Sequence, residues 1–289
     1  MKTVSLNAYA KINLFLDVVS KRDDGYHNIE SVMQSVSLAD EVSVKIDAYS
    51  GVEICQTFQN SDLPCDNTNL CYKAAKAYLD YFNISDVKVD INVVKKIPCQ
   101  AGLAGGSADA AAVIRALDIL FEKGSDNKLL SEIGLKVGSD VGFCIFGGTC
   151  AVEGRGEIVK PLTELDGYFV VVAKSEKENV STALAYSRID SREEVVPPET
   201  SYENYVSAVN SKSSSVIQNG MYNIFQDVMS QELNDTYEII DIMKKNGSLG
   251  AQMSGSGPSV FGLFDSIEKA NNALSVLSEK YFAEICKTV

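Results

Sequence analysis

The chain predicts an α+β protein of two domains, and three observations carry that expectation. Strand-like segments crowd the first hundred residues, with helical patterns following them. DVKVDINVV (86–94) alternates Val87, Val89, Ile91 and Val93 on one face. Beyond a glycine-dense turn, Ala110, Val113, Ile114, Leu117 and Leu120 recur at three- and four-residue spacing. Alternation marks a strand and the longer period a helix. Strands gathered ahead of helices favour α+β over a repeating parallel βαβ sheet. At 289 residues the chain can bury one large or two medium cores.

Taken in order, apolar alternation predicts strands at 4–9, 12–19, 42–46, 52–58 and 87–94. Helices are predicted at 69–82, 107–121 and 128–137, with Asn69 placed to cap the first and Ser125 or Asp126 the third. Around Lys160-Pro161 one unit closes, giving domains of 1–160 and 161–289, and GYFVVVA (167–173) opens the second with a strand. The polar stretch SREEVVPPETSYENY (191–205) reads as a loop and a candidate lid. A helix is expected at 234–245. GSLGAQMSGSGPSVFGLF (247–264) is a second glycine-rich turn running into an apolar strand at 260–264. A helix at 266–280 and a closing strand within 281–289 complete the chain. No repeat, low-complexity tract or heptad array interrupts this order.

Composition narrows the function classes. With 45% hydrophobic and 22% charged residues the chain has the balance of a soluble globular protein. No apolar run is long enough to span a bilayer, and Met1-Lys2-Thr3 leads straight into a strand-like segment, so no membrane association is expected. Seven cysteines without a C-x-x-C pair suggest reduced thiols in a cytoplasmic setting. A net charge of −13 argues against nucleic-acid binding, so an anionic substrate must be held by local features. The single histidine, His27, excludes a multi-histidine zinc site, and no G-x-S-x-G is present. No residue stands out as a metal ligand.

The turn itself is IPCQAGLAGGSADAAAVIRAL, from Ile97 to Leu117. Gly102, Gly105 and Gly106 remove side chains where the backbone turns sharply and an oxygen-rich ligand can approach. The first N–H groups of the following helix lack internal partners, and the helix dipole adds positive character there. Such a turn binds phosphate, although a tight turn with packing glycines is the competing reading. A Walker A loop is excluded because Ser107-Ala108-Asp109 follows the last glycine in place of Lys and Ser or Thr. The dinucleotide fingerprint is excluded by Ala104, which stands where its second glycine belongs.

Three further segments offer chemistry. In AYAKINLFLDV (8–18) Lys11 interrupts an apolar strand, and Asn13 shares its face because strand side chains alternate. A solvent-facing lysine is the alternative. In LKVGSDVGFCIFGG (135–148) Asp140 stands among apolar neighbours, as a helix N-cap or as a general base. In MSGSGPSVFGLF (253–264) Gly255, Gly257, Ser254 and Ser256 either shape a turn or press against a phosphate.

Together the order and spacing of these segments resemble the superfamily of galactokinase, homoserine kinase, mevalonate kinase and phosphomevalonate kinase, the GHMP kinases. Within it the likeness is to the kinases of 4-diphosphocytidyl-2-C-methyl-D-erythritol. It rests on AYAKINLFLDVVSKRDDGYHNIESV (8–32), DNTNLCYKAA (66–75), IPCQAGLAGGSADAAA, GSDVGFCIFGG (138–148) and MSGSGPSVFGLF, and is weakest at 188–215. The resemblance implies a ribosomal protein S5 domain 2-like N-terminal domain, a ferredoxin-like C-terminal domain and a site in the cleft between them. It implies ATP-dependent phosphorylation of the 2-hydroxyl of that substrate, with Mg²⁺, in non-mevalonate isoprenoid precursor synthesis. Lys11 and Asp140 match the catalytic pair, and Asn13 a neighbouring active-site amide. Pro98 and Gly102, Leu103, Ala104, Gly105, Gly106, Ser107 and Ala108 match the ATP loop. Asn69, Lys95 and Lys96 lie where the family contacts adenosine. Tyr26 and Tyr186 match the two faces of a cytosine site, His27 its edge, and Thr182 the methylerythritol end. The implied partner is thus a small molecule carrying a cytidine diphosphate, and the chain acts as a monomer or homodimer. Two departures are visible: Ala108 replaces a common serine, leaving Ser107 as the loop's hydroxyl, and Gly142 replaces a usual proline. Rival readings are a sister kinase of mevalonate, homoserine or a sugar, which needs no nucleobase pocket, and a catalytically silent nucleotide-binding protein of the same fold.

Overall fold

The computed structural model describes residues 2–192 and 197–289. Its contacts gather the chain into two compact units. The first comprises the chain up to Ala10, Leu38–Cys99 and Ala104–Gly147; the second comprises Lys11–Ser37, Gln100–Leu103 and Gly148–Val289. Two long strands, β1 (Lys2–Lys21) and β2 (His27–Ala48), contribute residues to both.

In the first unit the C-terminal half of β2 pairs antiparallel with β4 (Val87–Val94), placing Glu41 opposite Val94 and Ala48 opposite Val87. β4 in turn pairs in parallel with β3 (Val52–Gln59), Val52 facing Val87. The alternation read from the sequence is real: Val87, Val89, Ile91 and Val93 are buried while Lys88, Asp90, Asn92 and Val94 are half-buried. Four helices belong to this unit: α1 (Leu70–Tyr81), α2 (Gly105–Leu120), α3 (Asn127–Leu135) and α4 (Val141–Phe146). Helix α2 is buried along most of its surface, through Ala108, Ala110, Ala111, Ala112, Val113, Ile114, Ala116 and Leu117. A helix apolar nearly all round belongs in a core, and this one packs with Val42, Val44, Tyr78 and Leu79. Asn69 caps α1 by accepting from the Cys71 N–H, and Asp126 caps α3 by accepting from Leu129.

The second unit takes β1 from Lys11 onward and β2 from His27 to Ser37. That part of β2 pairs antiparallel with β5 (Thr149–Gly154), which pairs with β6 (Ile158–Pro161). The chain continues through β7 (Phe169–Lys174), α5 (Thr182–Ser191), α6 (Tyr202–Asn210), α7 (Ser214–Asn219), β8 (Tyr222–Asn223) and α8 (Ile224–Val228). It ends with α9 (Asn234–Lys245), β9 (Gly250–Met253), β10 (Val260–Phe264), α10 (Ile267–Leu277) and β11 (Phe282–Lys287). β8 adds to β1 in parallel, with Phe15 opposite Tyr222.

A four-stranded antiparallel sheet runs in the order β11-β7-β10-β9. With α9 and α10 as its connections this is the ferredoxin-like split βαβ arrangement, and its core joins Val171, Ala173, Ile239, Met243, Val260, Phe264, Ala273 and Leu277. The predicted strand at 260–264 and helix at 234–245 coincide with β10 and α9. The expected loop at 191–205 is only partly one: Ser201 caps α6, which buries Tyr202 and Tyr205, while residues 193–196 lie outside the described residues. Among the described residues no helix is long and apolar enough to cross a membrane.

Candidate active site

The glycine-rich turn leaves β4 at Lys95-Lys96-Ile97 and enters α2 at Gly105. Ala104, just before the helix, holds a left-handed backbone with φ of 57° and offers no side-chain cap. The N–H groups of the first helical turn are thus left to another acceptor. Gly102 also has positive φ, 74°, and a Cβ there would lie 2.0 Å from the Ser254 carbonyl oxygen. Only glycine fits. The Leu103 carbonyl accepts from the Lys11 N–H at 3.1 Å, the Ala101 carbonyl from the Ser259 N–H at 3.3 Å, and the Gly102 carbonyl from Ser254 Oγ at 3.0 Å. Both other chemistry-bearing segments of the second unit therefore grip the turn.

Lys11 is not a solvent-facing strand lysine. It is 4% exposed, and its ammonium donates to Asn13 Oδ1 at 2.6 Å. The same oxygen accepts from the Gly255 N–H at 2.9 Å, while Asn13 Nδ2 donates to Ser31 Oγ, which donates on to the Phe15 carbonyl. A Cβ on Gly255 would stand 3.2 Å from Lys11 Nζ, so the glycine of the third motif leaves room for the lysine. Asn223 fixes that motif from behind, donating to the Met253 and Gly255 carbonyls at 2.7 and 2.9 Å.

In the first unit Asp140 stands immediately before α4, half-buried, but its carboxylate makes no capping hydrogen bond to that helix. The Cβ position of Gly138 lies 3.9 Å from Ser107 Oγ, which sets the Gly138-Ser139-Asp140 segment beside the first turn of α2. Gly105 and Ser107 are half-buried and Gly106 exposed, whereas Ala108 is buried. Pro98 is half-buried at the approach to the turn.

The three adenosine candidates differ from one another. Asn69 uses its amide within the fold, accepting from Cys71 N and donating to the Pro64 carbonyl at 3.0 Å. Lys96 is exposed and pairs with Glu41 at 2.7 Å. Lys95 points inward, its ammonium shared between the buried carboxylates of Asp40 and Asp109. Burial works against its charge, but the two carboxylates prevail and raise its pKa.

Further along the second unit, the His27 ring stacks on Tyr186 with centroids 4.6 Å apart, and Tyr186 meets Phe225 edge-on at 4.9 Å. One face of Tyr186 is therefore covered by histidine. His27 Nε2 pairs with Asp190 at 2.7 Å. Tyr26 is 52% exposed, with the Arg155 guanidinium 5.1 Å from its ring centroid. Thr182, at the start of α5, shares a hydrogen bond with Ser256 of the third motif at 2.9 Å.

Sequence reading missed the groups that hold these side chains: Ser31, Asn223, Asp40, Asp109 and Asp190. Asp40 and Asp109 did carry a signal, being carboxylates within apolar or alanine-rich runs. Among the described residues no three His, Cys, Asp or Glu side chains gather as metal ligands.

The pattern of the GHMP kinases N terminal domain matches residues 69–148, and that of the GHMP kinases C terminal domain matches 214–283. A 4-diphosphocytidyl-2-C-methyl-D-erythritol kinase of Clostridium tetani is 40% identical over 278 residues, covering 96% of this chain and 97% of that one. One from Acetivibrio thermocellus is 40% identical over 93% of each chain. A crystal structure of 4-(cytidine 5'-diphospho)-2C-methyl-D-erythritol kinase superimposes with a TM-score of 0.79 at 30% identity, over 99% of both chains. The chain therefore belongs to the GHMP kinases and, within them, to the 4-diphosphocytidyl-2-C-methyl-D-erythritol kinase family.

Proposed function

We propose that this protein transfers the γ-phosphoryl group of ATP to the 2-hydroxyl of 4-diphosphocytidyl-2-C-methyl-D-erythritol, in isoprenoid precursor synthesis. Membership of the GHMP kinases carries the use of ATP with it. The observation that carries the acceptor is the likeness, along 96% of the chain, to a kinase named for it.

Asp140 accepts the proton of the 2-hydroxyl as that oxygen attacks the γ-phosphorus and ADP leaves. Lys11, held by Asn13, supplies a fixed positive charge where negative charge develops, an arrangement that needs no reorganisation during the reaction. The glycine turn and the uncapped start of α2 offer N–H groups to the β- and γ-phosphates. Mg²⁺ neutralises phosphate oxygens when bound. The donor set suits an ion carried in by the nucleotide: Ser107 is the hydroxyl at the turn, and no cage of protein carboxylates is gathered among the described residues. Tyr26, His27 and Tyr186 bind the cytosine, with the His27–Tyr186 stack as its aromatic platform. Thr182 contacts the methylerythritol end, and Asn69 and Lys96 lie toward adenosine. The chain acts in the cytoplasm as a monomer or homodimer. Residue 160 lies between the stretches that the two family patterns match, and we keep it as the boundary along the sequence, although the second compact unit also takes in Lys11–Ser37 and Gln100–Leu103.

Purified protein is incubated with Mg-ATP and a panel of alcohols: the cytidine-bearing substrate, mevalonate, homoserine and a hexose. Mass spectrometry should show a phosphate added to the first alone. Phosphorylation of another acceptor supports a sister kinase, and no transfer to any supports a silent nucleotide-binding protein.

A further inference from the structure

Asp190, on α5, joins two parts of the second unit that the reading above places around one base. Its Oδ1 meets His27 Nε2 at 2.7 Å, and its Oδ2 accepts from the Lys21 ammonium. Lys21 is the last residue of β1 and His27 the first of β2, so one carboxylate holds both ends of the hairpin turn that carries Tyr26. The turn is closed within itself: the Arg22 N–H donates to the Tyr26 carbonyl at 2.8 Å, and the Arg22 guanidinium bonds Asp24 at 3.1 Å and Asn28 at 2.9 Å. Tyr186 lies one helical turn before Asp190 on the same face of α5. The carboxylate therefore ties the hairpin of Tyr26 and His27 to the helix of Tyr186, and the His27 ring rests on Tyr186 at an interplanar angle of 24°.

The same pair fixes what the imidazole offers. The Lys21 bond, and after it the His27 bond, hold the Asp190 carboxyl below the usual carboxylate range, so it is ionised and only accepts. Nε2 must then carry a proton. In the neutral ring the other nitrogen, Nδ1, keeps a bare lone pair. The His27 side chain is 8% exposed, and Nδ1 has no hydrogen bond among the described residues. A nearly buried acceptor of this kind is costly until a ligand donor meets it. Cytosine has such a donor in its 4-amino group, whereas uracil carries a carbonyl oxygen at that position.

We propose that Asp190 is a positioning residue that sets base specificity: it holds His27 as the Nε2–H tautomer, with Nδ1 presented as an acceptor to the 4-amino group of the cytosine. Asp190 touches no substrate itself and acts through His27 and the hairpin. Lys21 lets a single atom test the arrangement. In Asp190→Asn the ammonium, which can only donate, takes the amide oxygen. The amide NH₂ is then turned to His27, and Nε2 becomes an acceptor. An amide in place of the carboxylate beside a histidine imposes the opposite tautomer in this way. The proton moves to Nδ1, which then opposes an amino group and suits a carbonyl.

The inference rests on the proposed acceptor, and the experiment separates the two. His27 is the single histidine of the chain, so nitrogen-15 NMR of protein labelled in histidine reads its tautomer directly. At about pH 8.5, where imidazoles are neutral, the parent should show the proton on Nε2 and Asp190→Asn should show it on Nδ1. Titration calorimetry then compares binding of the cytidine-bearing substrate with that of its uridine counterpart. The parent should prefer cytidine by about 5- to 150-fold, the worth of a buried acceptor left unmet, and Asp190→Asn should lose that preference. A merely structural role would lower stability without exchanging the tautomer or the preference. A proton on Nδ1, or on both nitrogens, in the parent overturns the proposal whether or not the variant folds. So does a folded variant that keeps the parental tautomer or the parental preference. Cytidine-selective binding without phosphoryl transfer would overturn the kinase assignment and leave the role of Asp190 standing; binding of neither compound overturns both.

Discussion

Replacing Asn13 by alanine should slow phosphoryl transfer while leaving substrate binding nearly intact. The family likeness places this amide among groups near the substrate, yet in the structure it is 1% exposed and committed to protein partners. Its Oδ1 accepts from Lys11 Nζ at 2.6 Å and from the Gly255 N–H at 2.9 Å, and its Nδ2 donates to Ser31 at 2.9 Å. Alanine removes a charge-assisted bond, about 1.5–3 kcal/mol, and orphans a buried backbone N–H, about 1–3 kcal/mol. Stability should therefore drop by about 2.5–6 kcal/mol, read as a lower urea midpoint. With Asn13 gone, Lys11 loses the group that aims it. A misplacement on the order of 1 Å costs about 100-fold in rate, so kcat should fall about 100-fold with KM changed by less than about threefold. Asn13→Asp keeps an acceptor for both Lys11 and Gly255 and should recover part of the rate. Steady-state kinetics on folded variants decide the matter. A parental kcat with a raised KM in Asn13→Ala would show that the amide touches substrate and does not position the lysine.

Asp140→Asn preserves side-chain shape but removes the base, so kcat should fall about 10²–10⁴-fold with ATP affinity unchanged by calorimetry. Turnover at the parent rate would remove Asp140 from the chemistry. Gly102→Ala places a methyl 2.0 Å from the Ser254 carbonyl oxygen at a φ of +74°. About 1–2 kcal/mol of left-handed strain and about 1–3 kcal/mol of overpacking should both register in a denaturant titration. A variant as stable as the parent would mean that the turn is not held as described.

The elements legible in the sequence are those whose periodicity matches what they bury. β4 could be read over 87–94 because its apolar residues alternate, and α1 and α3 because Asn69 and Asp126 cap them. β1 reads as two strands because Ala10-Lys11 breaks the apolar pattern; it is continuous because Lys11 is buried and bonded to Asn13. The first half of β2 gives no strand signal. Ser31 and Gln34 there, and Asp40 further along the strand, are polar yet buried, and their partners come from distant segments: Asn13, Thr149 and Lys95. The site shows the same division. Glycines and the Lys11–Asn13 spacing are local and visible, whereas Asn223 behind Gly255 and Asp190 beside His27 are joined to it only by folding. Tyr186 illustrates what family likeness leaves out, since its neighbour in the structure is the His27 ring.

The most direct measurement compares two acceptors on the unmodified protein: the complete cytidine-bearing substrate and its fragment lacking the nucleotide. Phosphorus NMR of the product locates the new phosphate, and saturation curves with Mg-ATP give kcat/KM for each. The cytidine site predicts a phosphate on the 2-hydroxyl of the complete substrate and a preference of at least about 5- to 150-fold over the fragment, the worth of one base stacked on an aromatic ring. Equal use of both, or a phosphate on another oxygen, would contradict the assignment of this protein as a kinase of 4-diphosphocytidyl-2-C-methyl-D-erythritol.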